Sequence, residues 1–166
     1  MFTLFSDMMV RFLGTIIKLA YTEKEGLLGA QIANGEAEPF GVIVCDVNGL
    51  KKINATLGHK AGDESIRSAS ELLCDFYTHS PVFRIGGDEF VVLLQGRDYE
   101  ARHELLKNIN AQIEENLRTG KVVASLGMTE YERENDMTFH EVFKRADGLM
   151  YERKMQLKSM GAVTRD

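Results

Sequence analysis

Two hydrophobic periods alternate along the chain: short apolar runs, and longer stretches in which apolar residues recur every three or four positions. The clearest short run is FGVIVCD, Phe40 to Asp46, β-branched at Val42, Ile43 and Val44. A nearly continuous apolar run of this length predicts a central strand covered on both faces. Before it, residues 5–33 read mostly as helix, with a weak point near Gly14, and NGEAEP (Asn34 to Pro39) supplies turn chemistry. After it, a short helix is expected from about Asn48 to Leu57, stopped by Gly58. A longer helix follows from about Gly62 to Tyr77, with Ile66, Ala69, Leu73 and Phe76 on one face. Pro81 bounds the strand VFRI, and Gly86-Gly87 is expected to make a tight hairpin turn into the strand EFVVLL. A helix from about Tyr99 to Leu117 puts Leu106, Ile109 and Ile113 on one face, and VVASLGM (Val122 to Met128) reads as a strand. The last helix covers about Thr138 to Lys158, with Val142, Ala146, Leu149 and Met150 inward.

The predicted order is helix, then βααββαβα. It implies an α+β fold: a mixed, mostly antiparallel sheet with helices packed on its faces around a βααββαβ core of ferredoxin- or palm-like type. Residues 1–33 form a helical lead-in suited to joining an upstream domain, and residues 34–166 form the main domain. A length of 166 residues suits one hydrophobic core. Hydrophobic residues at 44% and charged residues at 27% exclude a disordered chain. The net charge of −5 supplies no basic field for nucleic acid, so a phosphate would be met by a few local lysines and a metal. The N-terminal MFTLFSDMMVRFLGTIIKLAY is interrupted by Asp7, Arg11 and Lys18. No uncharged run there approaches the ~20 residues of a membrane span, so it reads as an amphipathic helix without direct membrane insertion. Cys45 and Cys74 fit no zinc spacing and are expected to be buried, reduced thiols in a cytoplasmic protein.

Three acids are positioned to carry chemistry. Asp46 ends the first strand, and Asp88 and Glu89 lie in or just after the hairpin turn. If the hairpin pairs beside the first strand, their carboxylates meet at one sheet edge. Such hard oxygen ligands suit Mg²⁺ or Mn²⁺, which also bridge phosphates and neutralise developing charge. The same residues can instead serve as a helix cap and as solvated turn acids. The pair Gly86 and Gly87 permits positive φ and leaves room for a ligand to approach the backbone. Backbone N–H groups from Asn48 to Lys51 open a helix and can cradle a phosphate.

The segment RIGGDEF, Arg84 to Phe90, contains the five-letter signature of the GGDEF diguanylate cyclases. DVNGLKKINATLGHKAGD (Asp46 to Asp63) and KRADGLMYERK (Lys144 to Lys154) resemble two further blocks of that family, in the family's order and approximate spacing. The similarity runs over roughly residues 10–160, and joint occurrence of three blocks is far more specific than one short motif. The resemblance implies a nucleotidyl-cyclase type of fold that condenses two GTP into cyclic di-GMP and pyrophosphate. It makes Asp46, Glu89 and the Val47 carbonyl the metal ligands. Asp88 would deprotonate the ribose 3′-hydroxyl or support the metal. Asn54 and Asp63 match the guanine-reading pair; their alternative uses are ending a helix turn and capping the next helix. Lys51, Lys154 and Lys158 match phosphate-contacting positions, with lysine at the last where the family usually has arginine.

The chain departs from the family in four places. The lead-in motif Asp-x-Leu-Thr-Gly is degraded, with Val10, Phe12-Leu13 and Gly14 at its positions. Asn54-Ala55 stands where the family has Asn-Asp, and Gly49-Leu50 replaces its aromatic. Tyr77 and Ser80 occupy the Arg and Asp positions of the product-binding inhibitory motif. The expected function is therefore a diguanylate cyclase acting as a homodimer, one GTP per chain, under an upstream sensory or regulatory domain. A catalytically weak or inactive GTP-binding regulatory module is the alternative. A polymerase palm shares the metal–acid logic but fits a short acidic chain poorly.

Overall fold

The computed structural model describes residues 14–162. The expected helical residues 5–13, and the motif positions Val10, Phe12 and Leu13, lie outside the described residues. The elements run α1 (Gly14–Ala33), β1 (Gly41–Val47), α2 (Leu50–Leu57), α3 (His59–Phe76), β2 (Val82–Arg84), β3 (Glu89–Leu94), α4 (Gly96–Glu100), α5 (Arg102–Thr119), β4 (Ala124–Glu130) and α6 (Phe139–Ser159).

β1 lies inside the sheet because both its faces are apolar, and every one of its residues is buried. The strand order is β2-β3-β1-β4. The sequence allowed a mixed sheet, but every described pairing is antiparallel. β1 and β2, joined by the α2–α3 crossover, would be the parallel neighbours, and β3 lies between them. This is the split βαβ arrangement.

On one face Ile43, Cys45, Phe90 and Val92 pack against Ile66, Ala69 and Leu73 of α3 and Ile109 and Ile113 of α5. On the other, Val42, Val44, Val91 and Leu93 pack against Tyr21, Leu28 and Ile32 of α1 and Val142, Ala146 and Met150 of α6. The helix preceding the strand thus contributes to the core, each fully buried aliphatic chain adding about 1.5–3 kcal/mol of burial.

α6 is held by local chemistry in its first turns. Thr138 and Glu141 form a capping box at its start. Arg145 donates to both carboxylate oxygens of the buried Asp136 and to the Glu130 carbonyl. Further along, α6 lies directly on Gly127 of β4, where a β-carbon would fall 2.1 Å from the Ala146 carbonyl oxygen and from the Met150 nitrogen. Only glycine admits that approach.

Several sequence expectations are corrected. The helix expected from Tyr99 splits into α4 and α5 at Ala101 and starts earlier. The buried Asp98 explains α4: it accepts from the His79 amide and the Ser80 hydroxyl, which ties this helix to the approach to β2. β4 begins two residues later than expected, because the Val122 and Val123 carbonyls accept from the Asn116 side chain and the Asn48 amide. Gly86 and Gly87 do not make a two-residue turn and neither has positive φ. Residues 85–88 form the link, closed by the Ile85 amide on the Glu89 carbonyl and by the Arg84 guanidinium on the Gly86 and Gly87 carbonyls. Leu149 points outward, 42% exposed. Cys45 is buried, but Cys74 lies on the outer side of α3 and is exposed.

Candidate active site

The register of the sheet builds the centre. Asp46 is the Cα partner of Glu89 across β1 and β3. The Val47 amide donates to the Asp88 carbonyl, which makes Asp46–Glu89 a non-hydrogen-bonded pair, the closer of the two antiparallel pair types. Both side chains project from the face that α6 covers. Asp46 is 8% exposed. Lys154 reaches it from α6, with Nζ 2.7 Å from Asp46 Oδ2. This contact joins residues 108 positions apart, and it depends on the close seat of α6 over Gly127.

The electrostatics are those of crowded carboxylates. Burial raises the Asp46 carboxyl above the usual carboxylate range, the Lys154 hydrogen bond opposes this, and the Asp88 charge adds to it. Glu89 is also raised, first by burial and then by the charges of Asp147, Asp46 and Asp88. Among the described residues, no three acidic, imidazole or thiol side chains close on a single point. The donors are hard oxygens, two of them directly opposed, with the Asp46 charge contributing to the rise of Glu89. Such a set gains from a divalent cation, and in this respect it fits Mg²⁺ or Mn²⁺.

Next to the acids, the chain leaves β1 through Asn48. Its backbone N–H is taken by the Val123 carbonyl, so it does not join the N–H groups that open α2. Those begin at Leu50, after Gly49 at φ 68°. The Asn48 side chain accepts from the fully buried Ser125 hydroxyl at 2.7 Å, and its Nδ2 has no partner. Lys51 is exposed in the first turn of α2. Lys158 is exposed one turn beyond Lys154 on α6.

Asn54 and Asp63 are brought together by the α2–α3 turn. The Asn54 side chain lies on Gly62, immediately before Asp63. Asp63 is exposed and is not a cap, since α3 begins at His59 with Gly58 as its N-cap. Gly86 and Gly87 are exposed. A β-carbon would meet nothing within 4 Å at Gly87 and only the Glu89 side chain, at 3.6 Å, at Gly86.

Sequence reasoning missed Asp147 and Ser125. Asp147 lies seven residues before Lys154, two turns along one helix face, and that spacing was the available signal. Nothing in the pattern of β4 marked Ser125. At the inhibitory-motif positions, Tyr77 is 1% exposed and the half-buried Ser80 donates to Asp98.

A family model described as "Diguanylate cyclase, GGDEF domain" matches residues 24–160. The chain is 30% identical over 135 residues to the probable diguanylate cyclase DgcT of Escherichia coli, covering 76% of this chain and 30% of that protein. It is 28% identical over 129 residues to an uncharacterized membrane protein of Staphylococcus haemolyticus, covering 74% and 36%. The chain thus spans about a third of the length of these curated relatives. Among solved structures, the GGDEF domain of YfiN (TpbB) from Pseudomonas aeruginosa matches with TM-score 0.64 and 30% identity, covering 81% of this chain and 89% of that one. The GGDEF domain of DgcB from Caulobacter crescentus, solved in complex with c-di-GMP, matches with TM-score 0.66 and 23% identity, covering 84% and 85%. No helix among the described residues is long and apolar enough to cross a membrane. With its signature strand pair, its opposed acids and its fold in agreement, the chain belongs to the GGDEF diguanylate cyclase domain family.

Proposed function

We propose that this chain condenses two GTP molecules into cyclic di-GMP and pyrophosphate, two copies facing each other with one nucleotide on each. The observation that carries this reading is the opposed pair Asp46–Glu89, with Lys154 delivered to it from α6. Asp46, Glu89 and the Val47 carbonyl would hold Mg²⁺ or Mn²⁺, which would supply charge neutralisation at the α-phosphate and acidify the attacking 3′-hydroxyl. Lys154, released from Asp46, and Lys158 and Lys51 meet the phosphates, together with the free N–H groups of the first turn of α2. Asp88 stands beside Asp46, where a proton can be held next to the reacting hydroxyl. Asn54 and Asp63 read guanine: a carboxylate accepts from N1–H and the N2 amino group together. The turn at Gly86-Gly87 offers bare backbone to the nucleotide, and neither φ nor an internal neighbour calls for glycine there.

The homodimer follows from the reaction, because one chain provides one nucleotide site and the product needs two. The domain works where GTP is held, in the cytoplasm. In longer proteins α1 and the residues before it link it to an upstream sensory or regulatory domain. The decisive experiment is cyclic di-GMP synthesis in Mg²⁺ and Mn²⁺, for the chain and for a version fused to a dimerising helix, against Glu89→Gln. Synthesis that disappears in Glu89→Gln while the fold persists is expected. Synthesis largely retained by Glu89→Gln refutes the metal assignment, and GTP binding without turnover in every form identifies a regulatory module instead.

A further inference from the structure

Gly62 is buried in an ordinary helical conformation within α3. Its φ asks for no glycine, and alanine there would favour the helix by about 1 kcal/mol. What an alanine there would displace is the Asn54 carboxamide. A β-carbon on Gly62 would lie 1.7 Å from Asn54 Oδ1, 2.8 Å from its Cγ and 3.3 Å from its Nδ2. Asn54 Oδ1 is buried and has no hydrogen-bond partner. The carboxamide oxygen is therefore seated over the Gly62 Cα, where only a weak Cα–H contact meets it. Nδ2 is the end of the amide farther from that β-carbon position. A backbone without a side chain has been left under a carboxamide oxygen without a partner, where two helices turn back on each other.

We propose that Gly62 is a positioning residue for nucleotide recognition: it provides the niche that fixes the Asn54 carboxamide and presents its amino group to the base. This rests on the reading of Asn54 and Asp63 as the guanine contacts. The niche settles which end of the amide faces outward. With the oxygen seated on Gly62, Asn54 offers a donor to the acceptors of the base, while the neighbouring Asp63 accepts from its N–H groups. The two contacts are then complementary and do not compete for the same hydrogens. A methyl at position 62 would expel the oxygen from its seat and turn or withdraw the amide.

The test is a double-mutant cycle on the full chain, read as the dissociation constant of a GTP analogue carrying a methylene in place of the α,β-bridging oxygen, with melting temperatures measured alongside. Asn54→Ala is expected to weaken binding by roughly 3- to 10-fold, the loss of one hydrogen bond. Gly62→Ala is expected to weaken it by a similar factor, and the double variant to bind no worse than Asn54→Ala alone. Wild-type affinity in Gly62→Ala overturns the proposal, as do losses that multiply in the double variant. Wild-type affinity in Asn54→Ala instead removes the guanine assignment beneath it. If Gly62→Ala does not fold, the methyl is introduced into Asn54→Ser, whose shorter side chain leaves room for it. There the methyl is expected to leave affinity unchanged, and a further loss overturns the proposal.

Discussion

Removing the Lys154 ammonium tests how the acid centre is balanced. Lys154→Met keeps most of the side chain's length and its packing, and deletes the charge that sits 2.7 Å from Asp46. The two side chains are 14% and 12% exposed, which puts the pair in the buried regime, where surface screening does not apply. Breaking such a pair by removing one partner costs about 3–5 kcal/mol, because the other charge stays buried. Asp46 has an escape: burial already raises its carboxyl, so it takes up a proton more readily once Lys154 is gone. That holds the loss near the lower figure, about 3 kcal/mol, or roughly 6–12 °C in melting temperature for a domain of this size. A divalent cation should then stabilise the variant more than the parent. If Asp46 holds the cation as proposed, Mg²⁺ would have to displace an ammonium in the parent and would meet an uncompensated carboxylate in the variant. The assay is thermal unfolding in EDTA and in a Mg²⁺ or Mn²⁺ series, with cyclic di-GMP synthesis measured in parallel and expected to fall. An EDTA melting temperature within about 2 °C of the parent would show that the pair holds little energy. A metal-induced shift no larger than the parent's would show that Asp46 is not where the cation binds.

Other consequences follow from the same geometry. Asp63→Ala should weaken GTP and narrow its advantage over ATP, because a carboxylate left unpaired against adenine costs about 1–3 kcal/mol or more; an unchanged affinity ratio would remove Asp63 from base recognition. Calorimetry should show no tight binding of intercalated cyclic di-GMP dimers, since Tyr77 is buried and Ser80 is engaged by Asp98; tight binding lost on mutating Tyr77 and its neighbours would contradict this. At Asp136, burial raises the carboxyl, but the Arg145 hydrogen bonds, the Glu132 amide and the Arg145 charge together outweigh it and leave the group below its usual range. A lowered carboxyl stabilises the fold above its unfolded value and loses that contribution as pH falls through the folded value. Asp136→Asn should therefore lower stability at pH 7 and flatten the loss seen below about pH 4; an acid limb identical to the parent's would refute the role.

The architecture was legible where one physical signal dominated. The continuous apolar run at Phe40 to Asp46 can only be satisfied by a strand covered twice, and it is. The convergence of Asp46 with Glu89 followed from the same reasoning, since a hairpin paired beside that strand sets them opposite. What the sequence hid was tertiary. Ala101 carries no breaking signal, and the split between α4 and α5 comes from Asp98 being claimed by His79 and Ser80. Lys154 was marked as a phosphate contact, but its partner lies 108 residues away and no periodicity reports that distance. Leu149 obeys the helix pattern and is still exposed, because the pattern gives a stripe and only the neighbouring elements decide how wide it is.

The glycines show most clearly how local chemistry and function separate. A Gly-Gly pair between two strands is ordinarily read as a turn that needs positive φ, and here neither residue has it. Gly127, which carries no such signal, is demanded by internal packing, because a whole helix rests on it. The requirement for glycine has thus moved from the turn to the sheet, and the turn is left with two glycines that the chain itself does not need. Arg84 holds that turn by the Gly86 and Gly87 carbonyls, so its shape is kept without any contribution from a side chain at those positions. A turn held in shape, bare of side chains and placed beside Asp46, Asp88 and Glu89 is suited to admit a ligand against its backbone. On the proposed reading, the reason for the glycines would lie outside the folded chain, in a nucleotide approaching that backbone.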